Sequence, residues 1–246
     1  MRCKFFCKNW FIHYNKRDGI TRRERDMKWV DHLVTLFEAN RNEDNAVPMK
    51  KYMRDQFLFL GIKTPERKQI LKEFFQESFI LKEPFQQDFV EELWAKEERE
   101  YQYAALVYME RAMKKLDSSN LSFLEGLIVT KSWWDTVDVL SPKLVGYIAS
   151  QYPQVIPETI DVWAVSDNIW LRRAAILFQL KYKAKTNEEL LYKYIVQNAQ
   201  EREFFIQKAI GWALREYSKT NPQSVRAFIE SHTLSNLSVR EGSKYI

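Results

Sequence analysis

The chain has only two cysteines, Cys3 and Cys7, both within its first ten residues. A disulfide framework is therefore excluded for the body, and an intracellular compartment fits. Its three histidines are spread out: His13 is the only soft ligand near the cysteines, and His32 and His232 stand alone. A metal centre is not expected. Six glycines and seven prolines in 246 residues are too few for a turn-rich β fold. No apolar run approaches the roughly 18 residues of a membrane helix. Lys8-Asn9 interrupts the apolar start and no small-residue cleavage site follows, so a signal peptide is not read.

What the chain does have is apolar and aromatic bulk, 46% and 15% of its residues. That supplies a core for one extended domain or two small ones. The formal charge of +5 is unevenly placed. Residues 1–26 hold eight Lys/Arg and three Asp/Glu, while the remainder holds 30 of each sign. The body is thus neutral, and it can bind an anionic polymer only by gathering cations on one face. Residues 1–26 read as a charged, flexible extension, and residues 27–246 as a single repeat domain.

From Met27 onward apolar residues recur at intervals of three and four. The pattern predicts helices near 27–40, 46–59, 64–78, 86–96, 99–115, 119–129, 132–150, 155–164, 168–183, 187–198, 203–218, 222–231 and 238–246. Thr64-Pro65 and Asn221-Pro222 read as caps followed by a first-turn proline. Ser132 to Asp135, Thr186 to Glu189 and Ser238 to Glu241 have the form of capping boxes.

The second half of the chain repeats at 35 residues. Aligned at that interval, successive helices begin Arg99-Glu100-Tyr101, Trp134-Asp135-Thr136, Ile169-Trp170-Leu171 and Phe204-Phe205-Ile206. Antiparallel helix pairs of this length form HEAT-like units. The expected architecture is all-α: a right-handed α-solenoid of HEAT-like antiparallel pairs with a concave groove. One register of the repeat reads Tyr103, Asp138, Arg173 and Lys208. Equivalent positions in a stack are neighbours, so Asp138, Arg173 and Lys208 would line one wall. Trp134 stands one turn before Asp138 and shares its helix face. Trp133, turned about 100° away, reads as core, as do Trp94, Trp163 and Trp170. Asp135, early in the helix, reads as a capping carboxylate.

From about Trp29 to its end the sequence resembles the AlkD family of DNA alkylation repair enzymes, the HEAT-like-repeat alkylpurine DNA glycosylases. The resemblance is carried by Phe57 to Arg67, Thr130 to Asp138, Ser166 to Lys183 and Glu203 to Tyr217. It implies a monofunctional glycosylase that hydrolyses the N-glycosidic bond of cationic alkylated purines, 3-methyladenine and 7-methylguanine, in duplex DNA. It also implies that the lesion stays stacked rather than flipped, and that no metal or other cofactor takes part. Carried over residue by residue, the catalytic carboxylate matches Asp138 and the lesion-packing tryptophans match Trp134 and Trp212. The phosphate-binding arginine matches Arg173, and supporting aromatics match Tyr52 and Phe205. Lys208, Lys131 and Lys63 are further candidates for DNA contact. Lys63 stands where glutamine is expected in the nearest relatives.

The chemistry is coherent on its own terms. Alkylation at N3 or N7 makes the base a cation that leaves neutral, so little acid catalysis is needed. An oxocarbenium-like sugar remains, which a carboxylate stabilises while orienting water. Indole faces attract cations by about 0.5–2 kcal/mol. The expected partner is duplex DNA, met by a monomer in a bacterial cytoplasm. Two other readings stay open: a non-catalytic binder of damaged or branched DNA, and a protein-binding scaffold.

Overall fold

The computed structural model describes residues 22–246, with side chains from Lys28 onward. The expected N-terminal extension, with Cys3, Cys7 and His13, lies mostly outside the described residues. The chain forms two compact units divided between Tyr108 and Met109. All regular structure among the described residues is helical, apart from one isolated bridge between Leu58 and Glu98.

The first unit contains α1 (Arg22–Glu38), α2 (Glu43–Tyr52), α3 (Thr64–Ser78), α4 (Gln87–Ala95) and most of α5 (Arg99–Ala112). Its core joins Leu33 and Phe37 of α1 to Phe74 of α3, Phe89 of α4 and Tyr108 of α5, all at most 1% exposed. Phe74 stacks on Phe89 at 5.9 Å, and Phe89 meets Tyr108 edge-on at 5.2 Å. The helix expected over 46–59 ends at Tyr52 instead. Arg54 and Asp55 both adopt left-handed backbone, which stops a helix, and Phe59 to Ile62 then run as a buried loop. The carboxylate of Glu100, fully buried in α5, accepts the backbone N–H groups of Leu60, Gly61 and Ile62 at 2.9–3.1 Å. Gly61 is required there: its φ is +86°, and an added Cβ would lie 1.9 Å from the carbonyl oxygen of Asn42.

The second unit contains α6 (Leu121–Val129), α7 (Trp134–Val139), α8 (Gly146–Gln151), α9 (Asp161–Trp163), α10 (Ile169–Leu177), α11 (Glu188–Gln197), α12 (Phe204–Ser218), α13 (Pro222–Ser231) and α14 (Asn236–Gly242). The helices α5, α7, α10 and α12 begin at Arg99, Trp134, Ile169 and Phe204, the 35-residue interval read from the sequence. Within the second unit the long-range polar contacts keep nearly the same interval. Ser141 bonds the Ala174 carbonyl 33 residues on, and Asn198 bonds the Ala164 carbonyl 34 residues back. Stacked helix pairs produce this regularity, because each pair touches only its neighbours. Here α10 is central, packing against α6, α7, α9, α11 and α12.

Two further expectations are corrected. The helix expected over 132–150 is α7 and α8 joined by a π-helical segment, Leu140–Val145. Pro142 lies in that segment and lacks the N–H that an α-helical turn needs, so the backbone widens around it. The capping register also differs from the expected one at four sites. The caps are Trp133, Asn187 and Ser235 rather than Ser132, Thr186 and Ser238, and Lys63 precedes α3 in place of Thr64. Ser132 donates instead to the Ile128 carbonyl, and Ser238 to that of Gln207. Asn221 caps α13 as expected, accepting from the Ser224 N–H.

Candidate active site

Asp138 projects from α7 toward α10, where Arg173 meets it. Arg173 Nε donates to one carboxylate oxygen at 2.8 Å and Nη2 to the other at 2.9 Å. The planar guanidinium fork matches a carboxylate edge, which makes this the stronger kind of ion pair. Arg173 Nη1 donates to the backbone carbonyl of Phe205, the second residue of α12. One guanidinium thus ties three helices together. The Arg173 side chain is 5% exposed and that of Asp138 17%, so solvent screens the pair little. Burial pushes the Asp138 carboxyl above the ordinary aspartate range. Arg173 opposes the shift, and the nearby charge of Asp135 adds to it.

An aromatic cluster fixes the same three helix starts. Trp133 leads into α7, Trp170 is the second residue of α10 and Phe205 the second of α12. Their ring centroids lie 5.8 Å apart for Trp133–Trp170, and 5.0 Å apart for Phe205 with either tryptophan. Such tilted contacts add about 0.5–1.5 kcal/mol each beyond burial. The Trp133 indole N–H is buried without a hydrogen-bond partner. Phe205, expected to touch DNA, packs between tryptophans and presents its carbonyl to Arg173. Its neighbour Phe204 is the exposed ring, at 50%.

Lys208 and Trp212 lie one turn apart on α12, both half-buried. Lys208, one repeat beyond Arg173, does not reach Asp138 by any hydrogen bond. Its Nζ instead donates to Glu241 of α14 at 3.1 Å. Arg215 Nη1 at 2.9 Å and Lys244 Nζ at 2.8 Å donate to the same carboxylate. Lys244 and Lys208 hold the Glu241 carboxyl down to about 2. Gly211 permits the approach of α14, since an added Cβ would lie 2.5 Å from Cβ of Glu241. In the sequence Glu241 has the form of only half a capping box. A carboxylate 33 residues from a repeat-register lysine was the sequence signal for its actual role.

Lys131 occupies the turn before α7 with left-handed backbone, φ 50°. Tyr52 closes α2 in the first unit, 73% exposed, and Lys63 is exposed at the start of α3. Trp134 is half-buried on the Asp138 face of α7. Among the described residues no group of three His, Cys, Asp or Glu side chains is placed to hold a metal ion. No helix among them is long and apolar enough to cross a membrane. The geometry therefore offers a shielded carboxylate in an arginine fork, a tryptophan one turn away and a set of cations on α12. That assembly can stabilise a developing positive charge and engage anions.

Similarity to known proteins agrees with this chemistry. No curated protein matches the chain. A solved structure described as a predicted DNA alkylation repair enzyme from Enterococcus faecalis is 38% identical. It superposes with a TM-score of 0.77, over 84% of this chain and 96% of that one. A crystal structure of a protein from Streptococcus mutans UA159 shares the fold. Its identity is 16% and its TM-score 0.57, over 89% of this chain and 99% of that one. Residues 33–246 match the family described as DNA alkylation repair enzyme, and the chain belongs to that family.

Proposed function

We propose that this protein is a monofunctional alkylpurine DNA glycosylase. It hydrolyses the N-glycosidic bond of 3-methyladenine and 7-methylguanine in duplex DNA, with the lesion left stacked. The observation that carries this reading is the Asp138 carboxylate, held through both oxygens by Arg173 and one turn from Trp134. Methylation leaves the purine cationic. The C1′–N9 bond then breaks with its electron pair going to the base, which departs neutral. Asp138 faces the positive charge left on the sugar and takes the proton of the water that forms the new C1′–O bond.

Arg173 holds the carboxylate in place and opposes its protonation. Three of its five N–H donors serve Asp138 and Phe205, leaving two for a backbone phosphate. Trp134 and Trp212 supply flat faces for the lesion nucleotide, and Tyr52, Lys63, Lys131 and Lys208 supply further contacts to DNA. The reading takes the protein as a cytoplasmic monomer that works through side chains alone.

The closed arginine fork favours one second reading: a non-catalytic binder of damaged or branched DNA, in which Asp138 only anchors Arg173. Release of radiolabelled 7-methylguanine from methylated duplex DNA separates the two. The parent should release base, and Asp138→Asn should lose roughly 100-fold or more of the rate. A parent that binds the duplex and releases nothing is the binder. Full activity in Asp138→Asn refutes the catalytic assignment.

A further inference from the structure

We propose that Glu241 assembles Lys208, Arg215 and Lys244 into a clamp for the phosphates of one DNA strand beside Trp212. The proposal rests on the duplex-DNA binding put forward above. A carboxylate needs one cation to be neutralised, and Glu241 has three within 3.1 Å, so the cluster carries excess positive charge. Three cations this close repel one another, and the carboxylate between them offsets that repulsion. Exposure is divided in the sense a ligand site needs. The Glu241 side chain is 11% exposed, while those of Lys208, Arg215 and Lys244 are 38%, 27% and 47% exposed. The anion is the foundation and the cations face outward. Each commits one donor to Glu241, and a lysine has three and an arginine five.

Placement on α12 gives the cluster its target. Lys208 and Arg215 are seven residues apart, two turns or about 10.5 Å along the axis, and so meet different phosphates. Trp212 lies between them on the same stripe, four residues after Lys208 and three before Arg215. The Gly211 contact with Glu241 brings α14 against α12 at this point. Glu241 is thus a positioning residue that acts through the three cations.

The test is binding of a fluorophore-labelled, undamaged DNA duplex, measured by anisotropy over a range of salt. Lys208→Ala and Arg215→Ala should each lower the slope of log affinity against log salt by about 1. Between about 50 and about 200 mM salt, each variant should then lose about four-fold less affinity than the parent. Glu241→Gln adds a positive charge, so field strength alone would tighten binding and leave the slope intact or steeper. The clamp gives the opposite sign: weaker binding and a shallower slope. Binding as tight as the parent's with an unchanged slope makes Glu241 a structural tether and overturns the proposal. If Glu241→Gln does not fold, the Lys208→Ala/Arg215→Ala double variant decides. A slope lowered by about 2 supports the clamp, and an unchanged slope overturns it. A parent that binds the duplex without releasing methylated base defeats the glycosylase reading and leaves the clamp standing.

Discussion

Replacing Arg173 by alanine would strand the Asp138 carboxylate in a site with 17% exposure and leave the Phe205 carbonyl without its donor. Removing one partner of a buried ion pair destabilises by about 3–5 kcal/mol, because the remaining charge stays desolvated. The pair here is shielded enough for that range to apply. At roughly 2–4 °C per kcal/mol for a chain of this size, the midpoint of thermal unfolding should fall by about 6–20 °C near neutral pH. The loss has a pH signature. Burial already raises the Asp138 carboxyl and Arg173 restrains it, so the variant's carboxyl rises further. A carboxyl raised on folding contributes stability that is fully present below its unfolded value and is lost as pH climbs through the folded value. The deficit of Arg173→Ala relative to the parent should therefore be small in acid, where Asp138 is protonated, and grow toward neutrality. Urea denaturation at a series of pH values measures it directly. A deficit below about 1 kcal/mol, or one that does not change with pH, would refute the claim that Arg173 is the counter-ion of a buried carboxylate.

Substitutions at two further sites test the scaffold. Gly61→Ala should destabilise by roughly 3 kcal/mol or more in denaturant titrations, since φ +86° and the Asn42 carbonyl leave a Cβ no room. Trp133→Phe removes a buried indole N–H that has no partner while keeping a ring on Trp170 and Phe205. It should change stability by less than about 1 kcal/mol, against a loss of about 3–5 kcal/mol for Trp133→Ala.

Much of the scaffold was legible in the sequence because repetition is a sequence-level property. The starts of α5, α7, α10 and α12 follow from the 35-residue interval, and Asp138 and Arg173, one interval apart, do meet. What escaped depends on local backbone or on the reach of long side chains. Ser132, Thr186 and Ser238 are good cap residues. The cap, however, is set by where the first helical turn begins, which makes it Trp133, Asn187 and Ser235 instead. Arg54 and Asp55 follow α2 with left-handed backbone that the apolar periodicity does not announce, so the Phe57 to Phe59 run reads as helix in the sequence. Lys208 shares a register with Asp138 and Arg173, yet Glu241 holds it, and that partner belongs to the next helix pair.

The π-helical segment between α7 and α8 has a consequence for how this part of the molecule tolerates change. Upstream of it, the arginine fork dictates the rotation of α7. Downstream, the Gly146 carbonyl accepts the Tyr182 hydroxyl at 2.6 Å, and an added Gly146 Cβ would lie 2.4 Å from the Phe178 carbonyl oxygen, so α8 is locked as well. An unbroken α-helix would pass any rotation of one end straight to the other. The wider turn holds one residue more per hydrogen-bonded ring and works as a vernier, setting two phases of the same helix independently. The spacing from Asp138 to Gly146 is therefore calibrated by that extra residue, and lineages that gain or lose one residue there would have to retune one lock or the other.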